Sequence, residues 1–429
     1  MTVQALPRRT RVLVIGGGPV GLIVAGLLAR HGVETLAVER RRETQRAPAA
    51  HVLRRRSLAV LAQLGVDAEI RRIAPRLPLD FVTWCTTLGG AEIGRLDLRP
   101  PDPLTGARGP EPWIHCPQNV LEPILLRAVS ARPEVRVVRG AECAALEQAG
   151  AGVAARIRQD DGSERVVTAA WAIAADGASS PTRRALGIAM QGQGALGRFL
   201  MVHFQADLTP WMHERSGPIF WILNPESPAC LIVHDPVRSH VLMMAADGSA
   251  DPVRAVPRRL AAALGVPIRP RIRSVDAWSP HVQVAARYRA GRVLLAGDAA
   301  HRFPPTGGLG LNTGIHDAHD LATRLVQVET GRAGEALLDG YEAACRPVAQ
   351  TNAAASFANL ERLGEISRVV GAPPTLADLE HRLASMTVGE RAALATAIEA
   401  QRSHFLDDGP APGSAPVEAP PRRSATQPV

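Results

Sequence analysis

The stretch RVLVIGGGPVGLIVAGLLARHGVETLAVE, residues 11–39, decides the fold. Residues 11–15 are a short apolar run, the pattern of a parallel strand buried on both faces. The turn Gly16-Gly17-Gly18-Pro19-Val20-Gly21 follows, then an apolar helix to about Arg30 that His31-Gly32 brings to an end. Residues 33–39 read as a second strand, so the whole is a βαβ unit. Three glycines and a proline interrupt the apolar run, and no small-residue cleavage site follows it. A membrane span or export signal is therefore not expected, despite Arg8-Arg9 just upstream.

The spacing GxGxxG directly after a strand has a physical reading. Gly16 permits the tight turn, Gly18 lets the backbone approach a pyrophosphate, and Gly21 lets helix and strand pack closely. The helix N-terminus then offers unpaired N–H groups to the phosphates. Glu39 ends the second strand 21 residues after Gly18 (39 − 18) and is placed to accept from a ribose hydroxyl. Its charge would repel a 2′-phosphate, so this site is expected to hold FAD or NAD rather than NADP.

Outward from this unit, residues 53–65 and 117–129 carry helical spacing. Residues 135–140 read as a strand, and 153–176 as a hairpin with an Asp-Asp-Gly-Ser turn that leads into a buried strand. Residues of about 190–280 alternate differently, with FWILN, CLIVHD and many prolines, and suggest an antiparallel sheet inserted into the first domain. The βα pattern returns near 292, and helices follow to about 404. The expected organisation is α/β: a Rossmann-like FAD-binding domain with an inserted antiparallel β-sheet substrate domain and C-terminal helices. Its divisions are 1–185, 186–285 and 286–405, with 406–429 a Pro-, Ser- and Ala-rich tail expected to be disordered.

A second glycine-rich turn, GRVLLAGDAAHRFPPTGGLGLNTGIHDAHDL (291–321), repeats the strand, turn and helix order. Its strand carries Gly297-Asp298 to the carboxyl end of the sheet, where ligands bind in such folds. Asp298 suits a sugar-alcohol hydroxyl, and the glycines around Leu309 admit a flat ligand. The helix points its positive end at that ligand, where a reduced flavin carries negative charge. One extended cofactor would explain two anchors. Between them lies Asp176-Gly177, a carboxylate at a strand end.

The bulk composition narrows the class. Net charge is +8, but the sequence contains no lysine and its arginines are scattered, so no nucleic-acid partner is expected. Five widely spaced cysteines without a CxxC argue for a reducing, cytoplasmic setting and against a metal site or disulfide framework.

GPVGL, DGASSPTR and GDAAHRFPPTGGLGLNTGIHDAHDL, in this order, resemble the three fingerprints of the group A FAD-dependent aromatic monooxygenases, over residues 10 to about 405. Residues 48–66, 88–97 and 117–125 are most similar to the phenol and 2,4-dichlorophenol hydroxylase branch, which includes aromatic polyketide hydroxylases. The resemblance implies an NAD(P)H-dependent oxidoreductase of secondary metabolism or phenol breakdown. NADPH or NADH would reduce FAD, and a C4a-hydroperoxyflavin formed with O2 would pass one oxygen to a phenolic or polyketide-type ring. It implies that Gly16, Gly18, Gly21, Glu39 and Arg40 hold the ADP half, that Gln118 and Asp176 contact the cofactor, and that Arg46 reaches the flavin or the nicotinamide phosphate. Gly297, Asp298, Pro305, Gly308, Leu309, Gly310, Leu311 and Asn312 would serve the flavin half, with Arg127 a weaker candidate. Pro304, Trp221 and His234 are expected to face a small aromatic substrate, and His51 to lie beside the ring as a candidate base.

The resemblance also implies a monomer or homodimer without stable membrane association. Relatives of this branch carry a further C-terminal domain, and the match here stops at 397–405. A flavin halogenase needs a lysine that this chain lacks. A reductase, an epoxidase or an intermediate-binding scaffold on the same fold stays open as the alternative.

Overall fold

A computed structural model describes residues 6–74, 80–99, 113–212, 215, 217–248 and 251–406. The expected tail at 407–429 lies outside the described residues. Two sheets organise the chain. The first has eight strands, with Arg9–Ile15 at its centre, paired in parallel to Thr35–Glu39 on one side and to Glu164–Ala174 on the other. Val135–Arg139 and Val293–Leu295 extend the parallel set outward. The sequence explains the central position, because the VLVI run is apolar on both faces. Val12 and Val14 join a core shared with helices Pro19–Ala29, Gln118–Ser130 and Leu309–Glu329. Leu13 and Ile15 pack the other way, against Val153, Ala155 and Ile157 of the antiparallel hairpin that ends in Glu164–Ala174.

The second sheet has seven strands in the spatial order Arg271–Trp278, Phe199–Gln205, Ser239–Ala245, Ala229–Asp235, Ile219–Ile222, Phe81–Cys85 and Glu92–Asp97. Its pairs are antiparallel except one, Ile219–Ile222 against Phe81–Cys85, which is parallel. This corrects the expected boundaries: strands within residues 81–97 belong to the second sheet although they precede 186. The edge of Ile219–Ile222 has backbone groups to pair, and the β-branched and aromatic run FVTWC supplies them. The parallel pair is where the chain's two visits to this sheet meet.

Alternation along these strands sorts their side chains. Leu200, Val202, Phe204, Phe220, Ile222, Leu231, Val233, Leu242 and Met244 point to one face and bury helix Val256–Leu264. The opposite face turns toward the first domain and the C-terminal helices.

The two glycine turns are drawn together by close packing. A Cβ on Gly21 would stand 2.0 Å from the Gly16 carbonyl oxygen, so the helix can sit this near its strand only without a side chain there. Val20 lies in a notch between Gly297 and Gly314, where added Cβ atoms would meet its methyl at 2.9 and 2.7 Å. Gly21→Ala therefore forces backbone apart. We expect it to destabilise the protein by about 2–3 kcal/mol, as overpacking does, measured as a lower urea midpoint. An unchanged midpoint would show that the turn relaxes freely.

Candidate active site

One cavity of about 600 Å³ opens between the two sheets, and both glycine turns reach it. At its first end, helix Pro19–Ala29 starts from Gly18 with no side-chain cap. A Cβ on Gly18 would meet nothing within 4 Å, so a ligand can approach this backbone. At the second anchor, helix Leu309–Glu329 starts from Gly308, again uncapped, at φ +62°, and Gly310 also borders open space. Each N-terminus carries roughly half a positive charge. Two bare N-termini at one cavity fit an elongated anionic ligand with two electron-rich sections, as FAD is.

Glu39 lines the cavity and is itself held. Its Oε2 accepts from the Gly17 N–H at 2.8 Å, and Oε1 accepts from the Arg41 N–H at 2.9 Å and from Arg41 Nε at 3.1 Å. Burial pushes this carboxyl up, but these hydrogen bonds and the Arg41 charge outweigh it and hold it below its ordinary value. Arg40, Gln118 and Asp176 also line the cavity. Gln118 is set by its backbone N–H, which donates to Ala50 O at 2.8 Å. Asp176 Oδ2 accepts from the Thr182 N–H at 3.1 Å, while Oδ1 is buried without a partner, a polar atom left for a ligand.

Asp298, Pro304, Pro305, Gly308, Leu309, Gly310 and Leu311 form the second anchor's wall. Enclosure by protein pushes the Asp298 carboxyl up, against the pull of His301 and Arg302. The turn that carries it is fixed from behind. Asp317 Oδ2 accepts from the Gly297 N–H at 3.1 Å and from His301 Nε2 at 2.7 Å, and both side chains are buried.

Four of the expected cofactor residues stand off the cavity wall. Gly21 and Gly297 serve close packing, as described above. Asn312 is buried, donating from Nδ2 to Val52 O at 2.9 Å and Gly308 O at 2.7 Å, and accepting on Oδ1 from the Arg54 N–H at 3.0 Å and Ser57 Oγ at 2.6 Å. With four bonds made inside the protein, it braces the loop instead of meeting a ligand. Arg46 is exposed and paired with Glu43. Arg127, the weaker candidate, pairs with Glu69.

The sheet supplies the remaining wall. Met201, Ile219, Trp221, Cys230, Ile232, His234, Val241 and Met243 are the alternate side chains of four neighbouring strands. Trp221 and His234 were expected there. The others follow from the same period of two, applied along FLMVHFQ, IFWI, ACLIVHD and SHVLMMA. Trp113, Trp278, His404, Phe405 and Arg54 carried no comparable signal in the sequence. Arg54 is buried and donates from Nη2 to Gly307 O at 2.8 Å, so it too secures the loop.

His51 lines the cavity as expected, and sequence reasoning missed its companion. His51 Nδ1 lies 3.0 Å from His115 Nδ1, and His115 Nε2 lies 3.2 Å from His234 Nδ1. Desolvation pushes His51 down to about 4, and pushes His115 and His234 well below 6.5.

Residues 9–356 match the family model described as FAD binding domain. The chain belongs to this FAD-binding family. It is 38% identical over 381 residues to a putative polyketide hydroxylase of Streptomyces halstedii, covering 85% of this chain and 67% of that one. It is 32% identical over 391 residues to a 2,4-dichlorophenol 6-monooxygenase of Cupriavidus pinatubonensis, covering 86% of this chain and 64% of that one. The chain thus spans about two thirds of the length of these curated relatives. Among solved structures, the flavin-dependent monooxygenase PieE in complex with FAD and substrate superposes with a TM-score of 0.86 at 29% identity, over 98% of this chain and 78% of that one. Among the described residues, no helix is long and apolar enough to cross a membrane.

Two predictions follow from this geometry. Asp298→Ala removes a side chain open to the cavity and should lose bound FAD, read by flavin absorbance after desalting, while the unfolding free energy of the FAD-free protein in urea stays within about 0.5 kcal/mol of the parent. Full FAD retention would sink the second anchor. The lowered His51 value has a sign for stability: between pH 6.5 and 4 the unfolded chain takes up a proton that the folded one refuses. Stability is therefore complete above about pH 6.5 and falls on acidification. His51→Gln should flatten that slope by up to about 1.4 kcal/mol per pH unit in urea titrations.

Proposed function

We propose that the chain is an FAD-dependent monooxygenase that uses NADPH or NADH and O2 to hydroxylate a phenolic or polyketide-type aromatic. The observation that carries this reading is a single cavity with two uncapped helix N-termini on one side and an apolar sheet face on the other. When bound, the flavin supplies hydride acceptance and oxygen activation.

The chain's own residues do the rest. The turn at Gly16–Gly18 and the first-turn N–H groups of Val20 and Gly21 would hold the pyrophosphate, with Glu39 on a ribose hydroxyl. Asp298 takes a ribityl hydroxyl, and the N-terminus of Leu309–Glu329 stabilises negative charge on the ring. Trp221, Ile232 and Met243 give a flat ring an apolar surface, and their burial excludes water from the reacting centre. His234 is the polar group on the sheet that meets a ring hydroxyl, and His51 is the polar group beside the second anchor. The relatives named for 2,4-dichlorophenol and polyketide hydroxylation support this substrate class. Five unpaired cysteines suit a reducing cytoplasm.

The test is anaerobic reduction of the FAD-loaded protein by NADH and by NADPH, with and without a panel of phenols and polyketide aromatics. Reduction should accelerate by at least about 10-fold, worth about 1.4 kcal/mol of barrier, with one ligand class. Fast reduction that ignores every aromatic would favour a reductase or epoxidase. FAD binding without reduction would favour a ligand-holding scaffold.

A further inference from the structure

Three distant parts of the sequence bring a histidine each to the same place. His51 precedes the strand Val52–Leu53, His115 closes its partner strand Ile114–His115, and His234 lies on Ala229–Asp235 of the second sheet. Val52 pairs with His115, and the Cys116 N–H donates to His51 O at 2.7 Å, so the backbone sets the first two rings side by side. Ring centroids are 4.8 Å apart for His51 and His115, and 5.1 Å for His115 and His234, the latter pair stacked.

The nitrogens run in line. His115 spends Nδ1 on His51 and Nε2 on His234, while His51 and His234 each use Nδ1 and keep Nε2. His51 and His234 line the cavity, and His115 does not. His115 is 1% exposed and His234 2%, whereas His51 is only half-buried. Among the described residues, the charges bearing on them come from one another and, for His234, from His240 and His203, with no carboxylate among them. The rings are therefore neutral at working pH, each with one N–H and one bare nitrogen. Two tautomeric orders satisfy both bonds. In one, every N–H points from His51 toward His234, and in the other every N–H points back. A proton accepted at one end must release one at the other.

The ends are in different surroundings. His234 stands on the sheet that receives the aromatic ring. His51 adjoins Val52, whose carbonyl Asn312 holds and whose side chain a Cβ on Gly308 would touch at 3.2 Å, so this end abuts the second cofactor anchor. A metal ion would need one nitrogen of each ring to converge. The three ligand atoms lie within 4.8 Å of one another, but His115 faces its neighbours with different nitrogens.

We propose that His51, His115 and His234 form a proton relay that carries the proton of a substrate hydroxyl from the sheet side of the cavity to the cofactor side. The proposal rests on the hydroxylase reading for the identity of that hydroxyl. The substrate O–H bond breaks as an N–H bond forms on His234 Nε2. The protons on the two inner bonds shift, and the N–H on His51 Nε2 breaks as an O–H forms on water or on the oxygen atom that leaves as water. One proton enters, one leaves and no electrons move, so the ring is left as an electron-rich oxyanion and no charge stays on the chain of rings. His234 and His51 touch the exchanging groups, and His115 is the positioning and conducting residue between them.

His115→Gln tests it, because an amide can keep both hydrogen bonds but does not pass a proton along. FAD occupancy and ligand affinity serve as controls for folding. In stopped flow with the FAD-loaded protein, ionisation of bound 4-nitrophenol, read by phenolate absorbance, should slow by about 100-fold in the variant, with affinity within twofold. An unchanged rate at full FAD occupancy overturns the relay. A second measurement needs no ligand and so separates failure of the relay from failure of the hydroxylase reading. In 15N-histidine NMR of the FAD-loaded protein, the three rings should share one tautomeric order, and His115→Gln should uncouple His51 from His234. Independent tautomers in the parent protein overturn the proposal. So does stoichiometric Zn2+ uptake that His115→Gln abolishes, which would make the cluster a metal site.

Discussion

The rest of the structure depends on how closely two helices approach the sheet and each other. Helix Pro19–Ala29 lies so near its strand that residue 21 has no room for a Cβ, and Val20 fills the notch between Gly297 and Gly314. Remove that contact and the two N-termini no longer converge. With it, two sets of unpaired N–H groups, about 290 residues apart in sequence, share one cavity. The glycines that matter most are thus not all at the ligand. Gly18 and Gly310 leave space for one, while Gly21, Gly297 and Gly314 bring the backbone segments together so that the space exists.

The second sheet meets a different constraint. A sheet of seven strands must cover both faces, and strict alternation divides its apolar residues between a packed helix on one side and, on the other, the C-terminal helices and the cavity. The cavity-facing set includes Met201, Trp221 and Met243, large and apolar without being fully covered, a combination expected of a binding surface more than of a core. Segment 46–54 then closes the gap between sheet and anchor. It pairs with residues 114–118 and is fastened to the second glycine loop by Asn312 and by Arg54, whose Nη2 bonds Gly307 O.

The legible features were those encoded by local pattern. The parallel strand 11–15, the hairpin at 153–176, the Glu39 position and the second strand-turn-helix all have periodicities or spacings that sequence alone displays. Leaving aside Arg127, fifteen of the nineteen positions read as meeting cofactor or substrate line the cavity, with His51 in addition; Gly21, Arg46, Gly297 and Asn312 do not. Three of the exceptions share a physical reason, while Arg46 is exposed and paired with Glu43. A glycine required for packing and one required for ligand approach look identical in a string of letters, and an asparagine at a helix start does not announce whether its amide turns inward. Residues 81–97 were misplaced because sheet membership depends on which edge is free, a property of the folded molecule. His115 gave no signal at all, since its neighbours in space come from 64 and 119 positions away.

That last case bears on why three histidines are buried together. Each imidazole taken out of water loses its hydration, and burial drives all three toward the neutral form. A neutral ring still has one donor and one acceptor, and leaving either unmet inside the protein costs about 1–3 kcal/mol. His115 meets both of its requirements with the other two rings, so the cluster satisfies its own interior without a carboxylate. What it cannot satisfy is the outer nitrogen at each end. Those two positions, one that donates whenever the other accepts, are presented to the cavity between an apolar ring surface and a cofactor anchor. A cluster built only for stability would close on itself; this one leaves its two complementary ends toward the cavity that both glycine turns reach.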